Sequence, residues 1–279
     1  VINKTILSAL PPYSYNLESY YSYLIKDVDI RVKLSRIFSV VNFPLTKKEI
    51  KEIIPEGDLI DEALPSLLTV LNQNYATSGY TIYHESFRRY ILENIKSKNV
   101  QLDKDVYDPI INWFNTKDFF EYPKVFRYFL QFLNDCKRSE TVLEYLTIDF
   151  VSKAIAEGNF WPTIKKNYYC FVKASIKKKD FPKIVTLNEL NKIIFSTEDI
   201  FKEERLLYFE TLGYIKGFSK VSNCLSFEGK PTLDLRTGLE ACYLCDKNKI
   251  TAPWQLYAEY FEEGKPIKIE DFKLYVTYK

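Results

Sequence analysis

From Leu17 onward, apolar side chains recur at steps of three and four residues. Leu17, Tyr20, Tyr21 and Leu24 form one such stripe behind Leu10-Pro11-Pro12, where proline suits the first turn of a helix. A second helix is expected from about Ile30 to Val41, with Val32, Leu34, Ile37, Phe38 and Val41 apolar, and Pro44 ends it. Thr46-Lys47-Lys48-Glu49 reads as a capping box that starts a short helix through Ile53. After the turn Pro55-Glu56-Gly57-Asp58, the residues Leu59, Ala63, Leu67, Leu68 and Leu71 mark a third helix. Pro65 is expected to interrupt it and Asn72-Gln73-Asn74 to close it. The period then drops to two: Tyr80, Ile82 and His84 alternate with Thr81 and Tyr83, behind a hairpin tip at Ala76-Thr77-Ser78-Gly79. Helical spacing resumes after His84 with Phe87, Tyr90, Ile91 and Ile95, so strand gives way to helix at that residue. Glu85 or Ser86 is the expected N-cap.

Beyond Lys98 the stripes come in series. Val106, Ile110, Ile111, Trp113 and Phe114 form one, Val125, Phe126, Phe129, Leu130 and Leu133 the next, and Val142, Leu143, Leu146, Phe150 and Val151 a third. Glu157-Gly158-Asn159 stops a helix, and Leu187–Ile194 and Glu203–Ile215 give two more. Helical hairpins in series suggest an α-solenoid-like region, with no fixed-period repeat. Gly213, Gly217, Gly229 and Gly238, with Pro231 and Pro253, suggest a looser end from about Gly217. Lys268–Tyr278, with Ile269, Phe272, Leu274 and Val276, reads as a final strand. The expected fold class is therefore mainly α. A linker helix occupies residues 1–26, a winged-helix domain with a small β-hairpin residues 27–97, helical hairpins residues 98–216, and a helical, loop-rich part with a strand residues 217–279.

Winged helices commonly read DNA, yet the third helix, the one that would enter a major groove, has no Lys or Arg from Asp58 to Asn74. It carries Asp58, Asp61 and Glu62 instead. Carboxylates on that face oppose the counterion release that drives binding, so DNA reading is not expected.

Composition narrows the picture further. Only Gly 8 against Tyr 22 and Phe 20 favours helices joined by short turns over a many-stranded sheet. A net charge of +2 with mixed signs gives no general polyanion signal. No stretch approaches the roughly 18 apolar residues of a membrane span, and no membrane partner is expected. Five scattered cysteines, an odd number in so long a chain, point to a reducing cytoplasm. With no methionine in the chain, either it begins inside a longer product or residues at methionine positions are missing from it, and an upstream region is expected either way.

His84 is the only histidine in 279 residues. The stretch Tyr83-His84-Glu85-Ser86-Phe87-Arg88-Arg89-Tyr90-Ile91 resembles the aromatic-His-x-Ser-Phe-x-x-aromatic-aliphatic signature that closes the winged helix of STAND NTPases, the NACHT and NB-ARC signalling ATPases. Tyr122-Pro123-Lys124-Val125-Phe126-Arg127-Tyr128-Phe129-Leu130 is similar to the start of the helical arm that follows it. The resemblance covers residues 10 to 95 and, more loosely, 96 to 160. It implies that His84 reaches the β-phosphate of ADP held by an upstream NTPase domain and keeps the closed, inactive state. It also implies a helical arm that recognises a protein ligand or trigger, and an oligomer on activation. Together with the Lys-, Ile- and Asn-rich usage, it leads to the expectation of a bacterial protein of antiviral defence. The sequence departs from the family in lacking the ATPase core. No Gly-x-x-x-x-Gly-Lys-Ser/Thr loop occurs, so ADP and ATP belong to the parent protein and the chain is expected to be non-catalytic, with no cofactor of its own.

Two features stand outside that resemblance. Lys165, Lys166, Lys173, Lys177, Lys178 and Lys179, with Lys183, interleave with Tyr168, Tyr169 and Phe171. They read either as a nucleic-acid contact, with amines on phosphates and rings on bases, or as the solvated face of a helix. The first option supports a different function, a free-standing winged-helix and helical scaffold that binds protein or RNA. Cys242-Tyr243-Leu244-Cys245 lacks the four ligands that zinc requires. Leu239, Cys242 and Cys245 fall on one helical face, which favours buried thiols and no metal.

Overall fold

The computed structural model describes residues 17–25, 29–74, 77–97 and 100–262, with the single positions 269, 273 and 276. The expected Leu10-Pro11-Pro12 helix start lies outside the described residues. The chain is mainly helical with a small antiparallel sheet, and it forms two compact units, residues 1–116 and 117–279.

The first unit opens with α1 (Leu17–Ile25) and α2 (Asp29–Val40), followed by β1 (Leu45–Thr46), α3 (Lys47–Ile53) and α4 (Gly57–Leu67). A hairpin, β2 (Leu71–Asn74) and β3 (Gly79–Ile82), leads into α5 (Glu85–Ser97). The capping box at α3 is formed: the Thr46 N–H donates to Glu49 Oε2 at 2.7 Å, and the Glu49 N–H donates to Thr46 Oγ1 at 3.3 Å. Thr46 also belongs to β1, which pairs with β3 in the register Leu45↔Tyr80 and Thr46↔Gly79, so the sheet order is β1-β3-β2. Leu34, Phe38, Phe43, Leu45, Ile50, Ile60, Leu67 and Phe87 fill the core between helices and sheet.

Three expectations for this half are corrected. Pro65 sits inside α4 without interrupting it, because only its own missing amide is lost and the helix closes two residues later, with the Leu68 N–H on the Pro65 carbonyl. Asn72–Asn74 do not close a helix but pair as β2, with Asn72↔Thr81 and Asn74↔Gly79. The stripe from Val106 to Phe114 becomes a π-helical turn, Asp103–Tyr107, running into α6 (Asp108–Asn115). It belongs to the first unit: the Trp113 indole donates to Glu52 Oε2 at 2.9 Å, and the Phe114 ring lies 5.5 Å from that of Phe43. The division between units therefore falls after Thr116, beyond the expected 97.

The second unit contains α7 (Pro123–Asp135), α8 (Ser139–Glu144), α9 (Phe150–Ala156), α10 (Trp161–Lys178), α11 (Phe181–Glu203), α12 (Arg205–Lys216) and α13 (Phe218–Cys224). A ribbon of β4 (Ser226–Phe227) and β5 (Lys230–Pro231) precedes α14 (Leu235–Lys247) and α15 (Trp254–Glu262). Aromatic rings fill its first core: Phe126 stacks on Phe150 at 5.8 Å, and Phe150 meets Phe171 edge-on at 5.0 Å. Buried Asn167 donates from Nδ2 to the Phe126 carbonyl at 2.7 Å, locking α10 to α7.

No looser end begins at Gly217, because Phe160, Phe209 and Leu212 share one core with Leu239, Cys242, Cys245 and Tyr257. Gly213 and Gly238 lie in mid-helix, where a Cβ would stand 2.3 Å from the Phe218 ring and 1.9 Å from the Tyr257 ring. Those glycines admit an aromatic ring against the helix backbone and do not mark a loop. The expected final strand falls mostly outside the described residues, and its described positions Ile269, Lys273 and Val276 are helical. No helix among the described residues is long and apolar enough to cross a membrane.

Tyr257 cannot yield to a new methyl at Gly238, since its ring is buried and its hydroxyl donates to the Leu225 carbonyl at 2.7 Å. Gly238→Ala is therefore expected to cost about 1–3 kcal/mol by overpacking, read as a lower thermal midpoint. An unchanged midpoint would contradict the packing described here.

Candidate functional site

His84 occupies the residue before α5, where its carbonyl accepts the N–H groups of Phe87 (3.0 Å) and Arg88 (3.2 Å). The helix begins at Glu85, so neither Glu85 nor Ser86 is the N-cap: both lie inside the first turn. Their amides are among those that helix geometry leaves without an intrahelical acceptor. The imidazole is exposed and rests beside the Tyr83 ring, centroids 4.1 Å apart. Tyr83 is in turn held by its hydroxyl, which donates to the Thr69 carbonyl at 2.9 Å, and by its N–H on the Val70 carbonyl. An exposed imidazole on a fixed neighbour, at the mouth of a helix, can donate a hydrogen bond to an anion that arrives from solvent. It does not fill the core.

Two residues that position this mouth were not singled out from the sequence. The Arg88 Nη1 donates to the carbonyls of Ser39 (3.0 Å) and Val41 (3.2 Å), at the C-terminal end of α2. Its Nε lies 3.6 Å from Glu85 Oε2, which partly offsets the charge of that carboxylate, next to His84 in the chain. The Tyr21 hydroxyl lies 2.7 Å from Ser86 Oγ, and the Tyr21 ring meets Phe87 edge-on at 5.1 Å, which ties α1 to the start of α5. The signal for Arg88 was present in the sequence: a cation in the first turn opposes its own helix dipole, so it is expected to serve another element.

The six lysines are distributed along α10 and just beyond it. Lys165 pairs with Glu198 at 2.6 Å, Lys178 pairs with Glu140, and Lys166 lies over the Tyr128 ring at 5.2 Å. Lys179 is the αL residue that ends α10, with φ 55. Lys173 and Lys177 are exposed, as is Tyr169, while Phe171 is buried in the aromatic core and is unavailable for stacking. The helix therefore brings together only part of the expected lysine-and-ring surface. Asp61, on the helix that DNA reading would require, is taken up by Lys47 (2.9 Å) and Lys51 (3.0 Å).

Cys242 and Cys245 are buried in the second unit, as the one-face spacing implied. Burial, with a smaller contribution from Asp246, pushes the Cys245 thiol up to about 12. No protein-family model, no curated protein and no solved structure matches the chain.

Removing the Arg88 guanidinium leaves the α2 carbonyls without this donor. Arg88→Ala is expected to cost about 1–3 kcal/mol, and Arg88→Lys to recover only part, since one ammonium replaces a planar fork. Equal midpoints for wild type and Arg88→Ala would contradict this role. For Cys245 the sign follows from linkage: the folded thiol holds its proton to higher pH than the ordinary value of 9.0, so its contribution is complete below pH 9.0 and is lost as pH rises toward about 12. Alkylation of Cys245 by iodoacetamide at pH 8 should require unfolding, and rapid modification of the native chain would contradict that burial.

Proposed function

We propose that this chain is the non-catalytic regulatory and sensor portion of a STAND-family signalling ATPase. The observation that carries the reading is the placement of His84. An element order of helix, strand, two helices and hairpin, the order of a winged helix, ends at an exposed imidazole on the mouth of the next helix. The match of Tyr83–Ile91 to the family signature supports it, and so does the docking of α1 on α5 through Tyr21, as a linker helix would require.

In this reading the ADP or ATP belongs to an upstream NTPase domain, in the cytoplasm. His84 donates a hydrogen bond to the diphosphate of ADP and ties the winged helix to that domain only in the closed state. The second unit, whose helices α10 to α12 expose several large apolar side chains, recognises a protein ligand or trigger. Release of the His84 contact then opens the protein for oligomerisation, as antiviral signalling would demand. The alternative, a free-standing scaffold that binds protein or RNA, is favoured by that same exposed apolar surface but leaves His84 without a role.

A hydrogen bond to a charged group contributes about 1.5–3 kcal/mol, enough to shift a closed-to-open equilibrium by roughly ten- to a hundredfold. His84→Ala in the full-length protein is expected to speed ADP release by about that factor and leave the thermal midpoint of the 279-residue chain unchanged. Unaltered ADP release with a lowered midpoint would sink the switch, and a parent gene without a P-loop domain upstream of Val1 would remove the family reading.

A further inference from the structure

Helix α12 is apolar along two opposite lines. On one, Phe209 and Leu212 are buried in the core of the second unit, and Gly213 lies against the Phe218 ring. At about 100° per residue, Leu207 and Tyr214 fall together on the other line, about two turns apart. Both are exposed, Tyr214 to 80%, and so are Leu206 on one margin and Ile215 on the other, Ile215 to 72%. The Tyr214 ring meets Phe218 edge-on at 5.6 Å, which braces it at the C-terminal end of the line. A helix apolar on both sides is ordinarily covered on both, and an exposed apolar cluster marks an interaction surface.

The charges of α12 are sorted between the two lines. Its cations Arg205 and Lys216 fall nearly opposite Leu207 by the same rotation, and each is taken by a carboxylate there: Arg205 Nε lies 2.6 Å from Glu240, and Lys216 Nζ lies 2.8 Å from Glu157. The outward line is bordered by acids instead. Glu204 and Glu210 fall about 60° to either side of Leu207, and Glu203 stands at the join with α11. None of these three carboxylates has an ion-pair partner among the described residues. Unpaired carboxylates around an apolar line repel phosphate groups, which disfavours a nucleic acid or an anionic membrane, and they attract Lys and Arg. From Glu204 to Ile215 the line runs about 16 Å, three helical turns, a length that suits a second helix packed along it. We propose that the outward face of α12 is the docking site for a basic amphipathic helix of a partner protein. That helix sets apolar residues at i, i+3, i+4 and i+7 against Leu207 and Tyr214 and places Lys or Arg beside Glu204 and Glu210. The proposal rests on the reading above only for the recognition role of the second unit, and it does not involve His84.

The test measures binding of the whole chain to three fluorescein-labelled synthetic peptides: a Leu/Lys amphipathic helix, the same peptide with Glu for Lys, and a scramble of the first. The first is expected to bind at least tenfold more tightly than the others and to weaken with salt. It should lose tenfold or more in Leu207→Ser/Tyr214→Ser, whose exposed positions leave the fold intact by circular dichroism. In Glu204→Lys/Glu210→Lys the preference should reverse, toward the Leu/Glu peptide. Equal or absent binding of the three peptides, or indifference to either variant, would overturn the proposal. Preferential retention on single-stranded RNA or on phosphatidylserine vesicles, or a dimer of the chain lost in the same variants, would overturn it in favour of that other occupant. Since the ADP experiment reads a different unit, the two proposals fail separately.

Discussion

The geometry around His84 depends on one arginine placed against its own helix. Arg88 stands in the first turn of α5, where the positive end of the helix dipole repels a cation, and it is stabilised instead by the last carbonyls of α2. Those carbonyls are the groups that an ending helix leaves unpaired. One guanidinium thus satisfies the end of α2 and sets the direction of α5, and the residue just before that helix follows. Tyr83 and Tyr21 complete the support, one fastened to the Thr69 carbonyl and the other to Ser86. The imidazole is held by its neighbours and still faces solvent.

Several features of both units were legible because their signals are local. A capping box spans four residues, the change of period at His84 is visible within a dozen, and one-face spacing placed the thiols of Cys242 and Cys245 in a core. What was not legible depends on distant partners. Strand β1 is only two residues long and exists because Leu45 meets Tyr80, and α6 belongs to the first unit because Trp113 finds Glu52. Gly213 and Gly238 misled for a physical reason: glycine in a sequence looks the same whether it frees a turn or admits a ring. Arg88 acts across 47 and 49 residues, so its partners could not be read along the chain.

The two units handle apolar surface differently. In the second, rings from α7, α9 and α10 close an aromatic core, and buried Glu240 is met by Arg205 Nε at 2.6 Å, so charge inside is paired. Outside, the hairpin of α10 and α11 leaves isoleucine, valine and phenylalanine in water beside lysines. Exposing such side chains costs solubility unless something covers them, which is what favours the recognition role proposed for this unit.

The central claim is that His84 answers to a diphosphate. As the only imidazole in the chain, it gives one pair of ring nitrogen resonances when histidine is 15N-labelled in this segment alone and the segment is ligated into the full-length protein. Recorded with ADP and again with a non-hydrolysable ATP analogue, those resonances should shift on ADP and return to the solvent-exposed position with the analogue. Resonances that are identical with ADP, with the analogue and without nucleotide would contradict the account.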